Sequence, residues 1–501
     1  MTRTPNKLIP DDFTATPSLD APAVIEVVGE IGSVDALGVL VHADGDLPAG
    51  LDLDRESLGR AGFEGKAGQT LVLPLASGPL FVVVGGGDRA DQTDASLRDA
   101  VAAFSRATNR FASIGFQVGS LGDVDEAAAV RALVEGAVLA RYRFTELKKK
   151  RPEKDLERLE LLIDGIDGSA SSAVAEGVVS ARAATIARDL CNTPPGHLTA
   201  TDFADAATVL GERFGFAVEV FDKAALIELG TGGLLGVNAG SAEEPRMIKL
   251  TYTPEGDATG HLGLVGKGIM YDSGGISLKP SDPMHLLMKM DMGGAAAVLG
   301  AFSALRDLGA TAKVTGWLMC TDNMPSGSAM QLGDVLTARG GTTVEVKNTD
   351  AEGRLVMMDA LVLATEDGVD AVVDIATLTG AALMALGQLT AALFGNNQEL
   401  VEKVKTAASG VDEQVWQLPL EKKYRKQLDS DIADISNIGG SRYAGATTAA
   451  LFLNDFVGET PWAHLDIAGT MQSDSDDAWR SKGATGFGAR TLLGLARDFT
   501  A

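Results

Sequence analysis

The chain has 501 residues, 45% of them hydrophobic, and a formal net charge of −25. That length exceeds the ~250–300 residues at which a single core stops growing, so two domains are expected. The acidic balance argues against a nucleic-acid surface, which needs Lys and Arg to neutralise phosphates. Two distant cysteines, Cys191 and Cys320, in no Cys-x-x-Cys pattern, argue against a disulfide framework and for a reducing compartment.

In chain order, the opening MTRTPNKLIPDDFTATP has no apolar signal-peptide region. TLVLPL (70–75) and LFVVVGGG (80–87) read as strands. ASLRDAVAAFSRATNRF (95–111) and EAAAVRALVEGAVLARY (126–142) read as amphipathic helices, and LERLELLID (156–164) as a last strand. Gly85-Gly86-Gly87 follows a strand, as in a nucleotide-binding turn. The G-x-G-x-x-G spacing is missing and Asp88 comes next, so a plain strand-ending turn is the reading. The basic run Lys148 to Arg151, followed by Pro152, reads as a solvated connector. Residues 1–168 are therefore assigned to an N-terminal α/β domain.

SASSAVAEGVVSARAATIARDL (169–190) reads as a long helix, placed in a linking segment 169–193 and stopped by Pro194 and Pro195. Beyond it, AVEVF, RMIKLTYT, HLGLVGKGIM, AKVTGWLM and AVVDIATL are strand candidates. Several are apolar almost throughout, as expected of strands covered on both faces. The apolar tract 371–395 contains Asp374, Gln388, three threonines and three glycines, so it reads as a buried strand and a packed helix and not as a membrane span. The fold class is α/β: two domains, each a mixed β-sheet sandwiched by helices, with residues 194–501 forming the C-terminal domain.

The chemistry concentrates in three places. VGKGIMYDSGGISLKP carries Lys267, Asp272 and Lys279 around a Gly274-Gly275 turn. MKMDMGGAAAVLGAFSAL places Asp291 before an apolar helix. NTDAEGRL sets Asp350, Glu352 and Arg354 between the strand-like TTVEV and the helix-like LVMMDALVLAT. Carboxylates at a helix start have a plain explanation, since the helix dipole favours them there. The repetition points further, because ligands in open α/β sheets bind where loops converge at the carboxyl ends of strands. Asp272, Asp291, Asp350 and Glu352 brought together would repel, and one lysine would not neutralise them. Two divalent ions would, and Asp and Glu oxygens suit Zn²⁺, Mn²⁺ or Mg²⁺. The histidines His42, His197, His261, His285 and His464 are dispersed and form no metal motif, and no G-x-S-x-G elbow or Walker lysine is present.

NTDAEGRL resembles the signature of the leucyl aminopeptidase family, the cytosol or leucine aminopeptidases. The blocks around Lys267 and Asp291 agree with it, as do NMPSGSAMQLGDVL, DIATLTGA, the IGG at Ile438–Gly440 and WAHLDIAGT, all in the family's order. The N-terminal third carries no such motif. The resemblance implies a metallo-exopeptidase in which Lys267, Asp272, Asp291, Asp350 and Glu352 ligate two ions, Mn²⁺ or Zn²⁺, with Asp272 and Glu352 bridging. A ligating Lys267 must be neutral; the rival reading is an ion pair with a carboxylate. By the same resemblance, Lys279 polarises the scissile carbonyl and stabilises the gem-diolate, and Arg354 anchors a bicarbonate acting as general base. Met288, Thr377, Gly380, Ala468 and Met471 line the pocket for the first side chain, and backbone near Leu378 holds the peptide. The flexible, apolar Met288 and Met471 suit a Leu- or Met-like residue. Further implications are peptide substrates, a homohexamer, a cytoplasmic location, and no membrane or nucleic-acid partner. The rival functions are another two-metal hydrolase, such as a phosphoesterase, and a catalytically silent relative with a binding or regulatory role.

Overall fold

The computed structural model describes residues 9, 13–20, 22–48, 51, 53–74, 77–166 and 170–501. Leu75 in the first expected strand, Ser169 at the expected helix start, the 168/169 boundary and most of the opening segment lie outside these residues. The chain divides into two compact units. One holds Pro17–Thr185 and Ser473–Gly483; the other holds Ile186–Gln472 and Ala484–Ala501. The helix Ser171–Asn192 runs through the division. Both units are α/β with mixed sheets.

The first unit carries β1 (Val24–Val27), β2 (Ala36–Val41), β3 (Thr70–Leu73), β4 (Leu80–Gly85), β5 (Ser113–Val118) and β6 (Arg158–Ile163) in the order β1-β6-β5-β2-β4-β3. All neighbours are parallel except β3 and β4. The helices Asp94–Ala107 and Glu126–Arg141 bury apolar faces in its core, with Phe104 stacked on Phe116 at 5.2 Å. The glycine run after β4 is an ordinary turn. Gly86 N–H donates to Val41 O and Gly87 N–H to Gly65 O, so neither is free for a phosphate.

The second unit carries, in chain order, β7 (Ala217–Phe221), β8 (Arg246–Tyr252), β9 (His261–Asp272), β10 (Lys313–Asn323), β11 (Val335–Thr337), β12 (Thr343–Glu345), β13 (Ala371–Ala376), β14 (Ala391–Gly395), β15 (Val415–Gln417), β16 (Ile435–Ser436) and β17 (Trp462–Asp466). Eight form one sheet, β15-β14-β17-β13-β9-β10-β8-β7, and β11-β12-β16 form a small second sheet. Strands β10, β9, β13 and β17 are mutually parallel, so their carboxyl ends share one edge. The apolar tract 371–395 is β13, the helix Gly380–Leu386 and one further strand, β14, which runs antiparallel to β17.

Helices cover both faces of this sheet, and glycines fix how close they come. A Cβ on Gly266 would meet Ala295 Cα at 2.7 Å, and one on Gly294 would meet Ile375 O at 2.0 Å. The fully buried helix Gly293–Phe302 therefore lies directly on β9 and β13. Lys267, the next residue along β9, points to the other face, where a Cβ on Gly353 would meet its Cε at 2.7 Å. That is the start of the helix Gly353–Glu366.

Candidate active site

Lys267 and Asp272 are five residues apart and would face opposite sides of a regular strand. The register of β9 with β10 slips between Thr321/Ile269 and Asp322/Tyr271, leaving Met270 as an extra residue. This bulge restores Lys267 and Asp272 to one face, the use of bulges beside functional sites. After Asp272 the chain turns at Gly274 and Gly275, both left-handed at φ +88 and +64. Side chains are costly in that conformation and glycine is not. The turn lets Gly274 N–H donate to Asp272 Oδ1 at 2.9 Å and brings Lys279 back over the same carboxylate.

The charges interlock in pairs. Lys267 Nζ is 2.8 Å from Asp291 Oδ2 and 2.9 Å from Glu352 Oε1, and it donates to Thr377 O at 2.9 Å. Lys279 Nζ is 2.8 Å from Asp272 Oδ2 and 2.6 Å from Asp350 Oδ1. Glu352 stands at the start of its helix but makes no capping bond. Its side chain turns to Lys267 instead. Arg354 is buried, with Nη1 donating to Asn437 O at 2.8 Å and Nε without a partner.

Burial and crowding shift the titration of six of these groups. Burial, with Asp272 adding to it, pushes Glu352 up to about 8. Burial pushes Asp291 up to about 6 and also raises Asp350. Burial disfavours charge on Lys267, yet Asp291, Glu352 and Asp272 outweigh it and hold the ammonium above the usual lysine range. Lys279 behaves alike, with Asp272 foremost in opposing burial. Burial lowers Arg354 to about 10, which leaves it charged at neutral pH.

This donor set fits a divalent cation. Asp272, Asp350 and Glu352 each offer an oxygen, all within 4.8 Å of one another. Glu352 Oε2 is buried and has no hydrogen-bond partner. Such an atom is costly unless something cationic meets it. The ligand type is carboxylate oxygen, suited to hard or borderline ions. Lysine ligation further requires Lys267 to lose its proton, which an adjacent dication favours.

A cavity of 480 Å³ takes in the whole set. Its wall includes Lys267, Asp272, Lys279, Asp291, Asp350, Glu352 and Arg354 together with Met288, Thr377, Leu378, Gly380, Ala468 and Met471. The structure thus brings every residue singled out in the sequence into one chamber at the carboxyl edge of the sheet. His285 is also in the wall, its ring stacked on Tyr271 at 5.8 Å, outside the carboxylate cluster.

Residues 185–493 match the cytosol aminopeptidase family, catalytic domain, and residues 55–151 match the cytosol aminopeptidase family, N-terminal domain. The chain belongs to the cytosol aminopeptidase family. The enzyme is accordingly a metallo-exopeptidase that hydrolyses peptides from the amino end. The N-terminal match reaches a region in which no motif was legible. A probable cytosol aminopeptidase of Alkaliphilus metalliredigens is 39% identical over 95% of this chain and 96% of its own. One from Chlorobium luteolum is 40% identical over 97% and 99%. Among solved structures, the bottromycin maturation enzyme BotP in complex with Mn is 40% identical, with a TM-score of 0.84 over 93% of this chain and 99% of its own.

Several residues that shape the aminopeptidase site escaped the sequence reading. Asn323, at the end of β10, donates to Asp272 Oδ1 at 2.8 Å and to Thr349 O at 2.9 Å, tying two loops together. Asn437 accepts from Lys347 N–H at 2.8 Å and donates to Asn348 O at 2.6 Å, bracing the turn that carries Asp350. Asp466 binds the turn after β13. Asn323 and Asp466 stand at the carboxyl ends of buried strands, the pattern that marked Asp272. Among the described residues, no helix is long and apolar enough to cross a membrane. Both cysteines are free and buried, and burial raises their thiol pKa values.

Proposed function

We propose that this chain is a two-metal aminopeptidase of the cytoplasm that removes N-terminal residues with apolar side chains, leucine foremost, and works as a homohexamer. The observation that carries the reading is the single cavity in which an acidic cluster and an apolar pocket share a wall. Lys267, Asp272, Asp291, Asp350 and Glu352 would hold the ions. Two divalent ions, manganese or zinc, would supply Lewis acidity and a water acidified toward neutral pH. A manganese complex of BotP supports the metal type.

Lys279, part-exposed in the cavity wall beside Asp272 and Asp350, donates to the scissile carbonyl oxygen as charge develops there. Arg354 offers an unpartnered Nε and fits a planar anion; bicarbonate held there would supply a general base. Met288 and Met471 present thioethers to the first side chain, and the Thr377–Gly380 backbone runs alongside the peptide.

The test is hydrolysis of Leu-p-nitroanilide before and after chelation, with Mn²⁺ or Zn²⁺ added back, and p-nitrophenyl phosphate as the competing substrate. Cleavage of the anilide that is lost and restored with metal is the expected result. Turnover of the phosphate ester alone would favour a phosphoesterase, and no turnover in the metal-loaded chain a silent relative. Light scattering on the eluting protein checks the hexamer.

A further inference from the structure

Asp466 closes β17 and is 1% exposed. Its Oδ1 accepts from the N–H groups of Leu378 at 3.1 Å, Thr379 at 3.3 Å and Ala468 at 3.2 Å. Its Oδ2 accepts from the Thr379 hydroxyl at 2.6 Å. Three donors belong to the turn after β13 and one to the turn after β17. Both turns are cavity wall, through Thr377, Leu378, Thr379, Gly380 and Ala468. Asp466 is not itself among the lining residues.

The first turn is anchored at its other end as well. Thr377 O accepts from Lys267, and the Thr377 hydroxyl donates to Asp291 Oδ1 at 2.6 Å. Between these two anchors the backbone has little freedom. The Thr379 hydroxyl also accepts from Ala382 N–H at 3.0 Å, so the start of the helix Gly380–Leu386 is held through the same side chain. The Thr379 hydroxyl bond is short, as expected of a bond to a carboxylate, and the three N–H groups would be orphaned without Asp466.

We propose that Asp466 is a positioning residue for the aminopeptidase reaction: it clamps the turns after β13 and β17 at a fixed spacing and thereby sets how sharply the pocket discriminates among first side chains. The proposal deepens the function proposed above and rests on its reading of this cavity as the first-residue pocket. Because Asp466 acts through backbone that the substrate meets, its loss changes fit more than the chemical step.

The experiment measures kcat and KM of the full-length, manganese-loaded enzyme on Leu- and Ala-p-nitroanilide for the parent, Asp466→Asn, Thr379→Ala and Thr379→Ser. Asp466→Asn replaces one acceptor oxygen by a donor facing the Thr379 hydroxyl; Thr379→Ala removes only that hydroxyl. Both are expected to raise KM for the leucyl substrate about ten-fold and to shrink the preference for leucyl over alanyl, with bound manganese unchanged. Thr379→Ser is expected to restore parent values. Thr379→Ala alone decides the matter should Asp466→Asn misfold. Parent-like KM and preference in the variants would overturn the clamp, as would an equal fall in kcat on both substrates at constant KM. A parent that cleaves neither substrate overturns the reading of the cavity and the clamp with it, an outcome distinct from an active parent whose preference the variants leave intact.

Discussion

Lys267 Nζ and Glu352 Oε1 lie 2.9 Å apart, on two side chains that are 3% and 1% exposed. The pair joins the middle of β9 to the first turn of the helix Gly353–Glu366, while the second oxygen of Glu352 is buried without a partner. Glu352→Gln keeps the shape and removes the charge. It is expected to lower metal affinity and turnover by about 100-fold or more while leaving the fold and assembly intact. Metal content of the purified variant, kcat and light scattering check this together. Near-parent turnover would remove Glu352 from the metal-binding set.

Lys279 holds a different place from Lys267. Its side chain is 19% exposed and reaches the cavity between Asp272 and Asp350. Lys279→Met is expected to reduce kcat about 10²–10³-fold, the loss typical of one donor to a developing oxyanion, with a smaller change in KM. The variant is also expected to keep its manganese. A loss confined to KM would make Lys279 a binding residue only.

Legibility in the sequence followed locality. Asp272, Asp350 and Glu352 are readable because each interrupts an apolar run within a few residues of a glycine turn, where the chain itself signals a strand or helix end. The strands rich in Val, Ile and Leu in the second unit are readable for the same local reason. The bulge at Met270 is not, because it exists only in the register of β9 against β10. Asn437 follows only the two-residue β16 and acts on a loop 89 residues away in the chain, so nothing local marks it. Strands β1, β2, β5, β11 and β14 to β17 are not marked in the sequence reading; β14 hides in a continuous apolar tract in which strand and helix look alike. Asp374 was noticed only as an argument against a membrane span, whereas it is the buried partner of Trp462 and His464.

Gly293 offers a test of the pocket that leaves the acidic cluster alone. A Cβ there would sit 2.4 Å from Met471 Sδ, the movable part of a flexible side chain. Gly293→Ala is therefore expected to push Met471 into the cavity and narrow it. Gly293 is the first residue of its helix and is not left-handed, so the backbone there accepts alanine. The ratio of kcat/KM for Leu- over Ala-p-nitroanilide is expected to fall several-fold, because one methylene of fit in an apolar pocket is worth roughly 1–3 kcal/mol. An unchanged ratio would place the first side chain elsewhere.

His464 provides a pH-dependent contribution to stability. Its Nδ1 is 2.5 Å from Asp374 Oδ1, and Trp462 Nε1 donates to the other oxygen at 2.6 Å; His464 and Asp374 are fully buried. Burial opposes the imidazolium, but Asp374 outweighs burial and lifts the pKa above the usual histidine value, with Asp466 adding and Arg354 opposing. A base whose pKa rises on folding binds its proton more tightly in the native state. Its stabilisation is therefore complete below the unfolded value of ~6.5 and is lost as pH climbs through the higher folded value. The gap in urea midpoint between the parent and His464→Gln is expected to be widest below about pH 6 and to shrink as pH rises above 6.5. Asp374→Asn should flatten that dependence, since the neutral amide no longer rewards the charge. A gap that widened with rising pH would mean that the histidine is neutral in the fold and that Asp374 serves chiefly as the acceptor for Trp462.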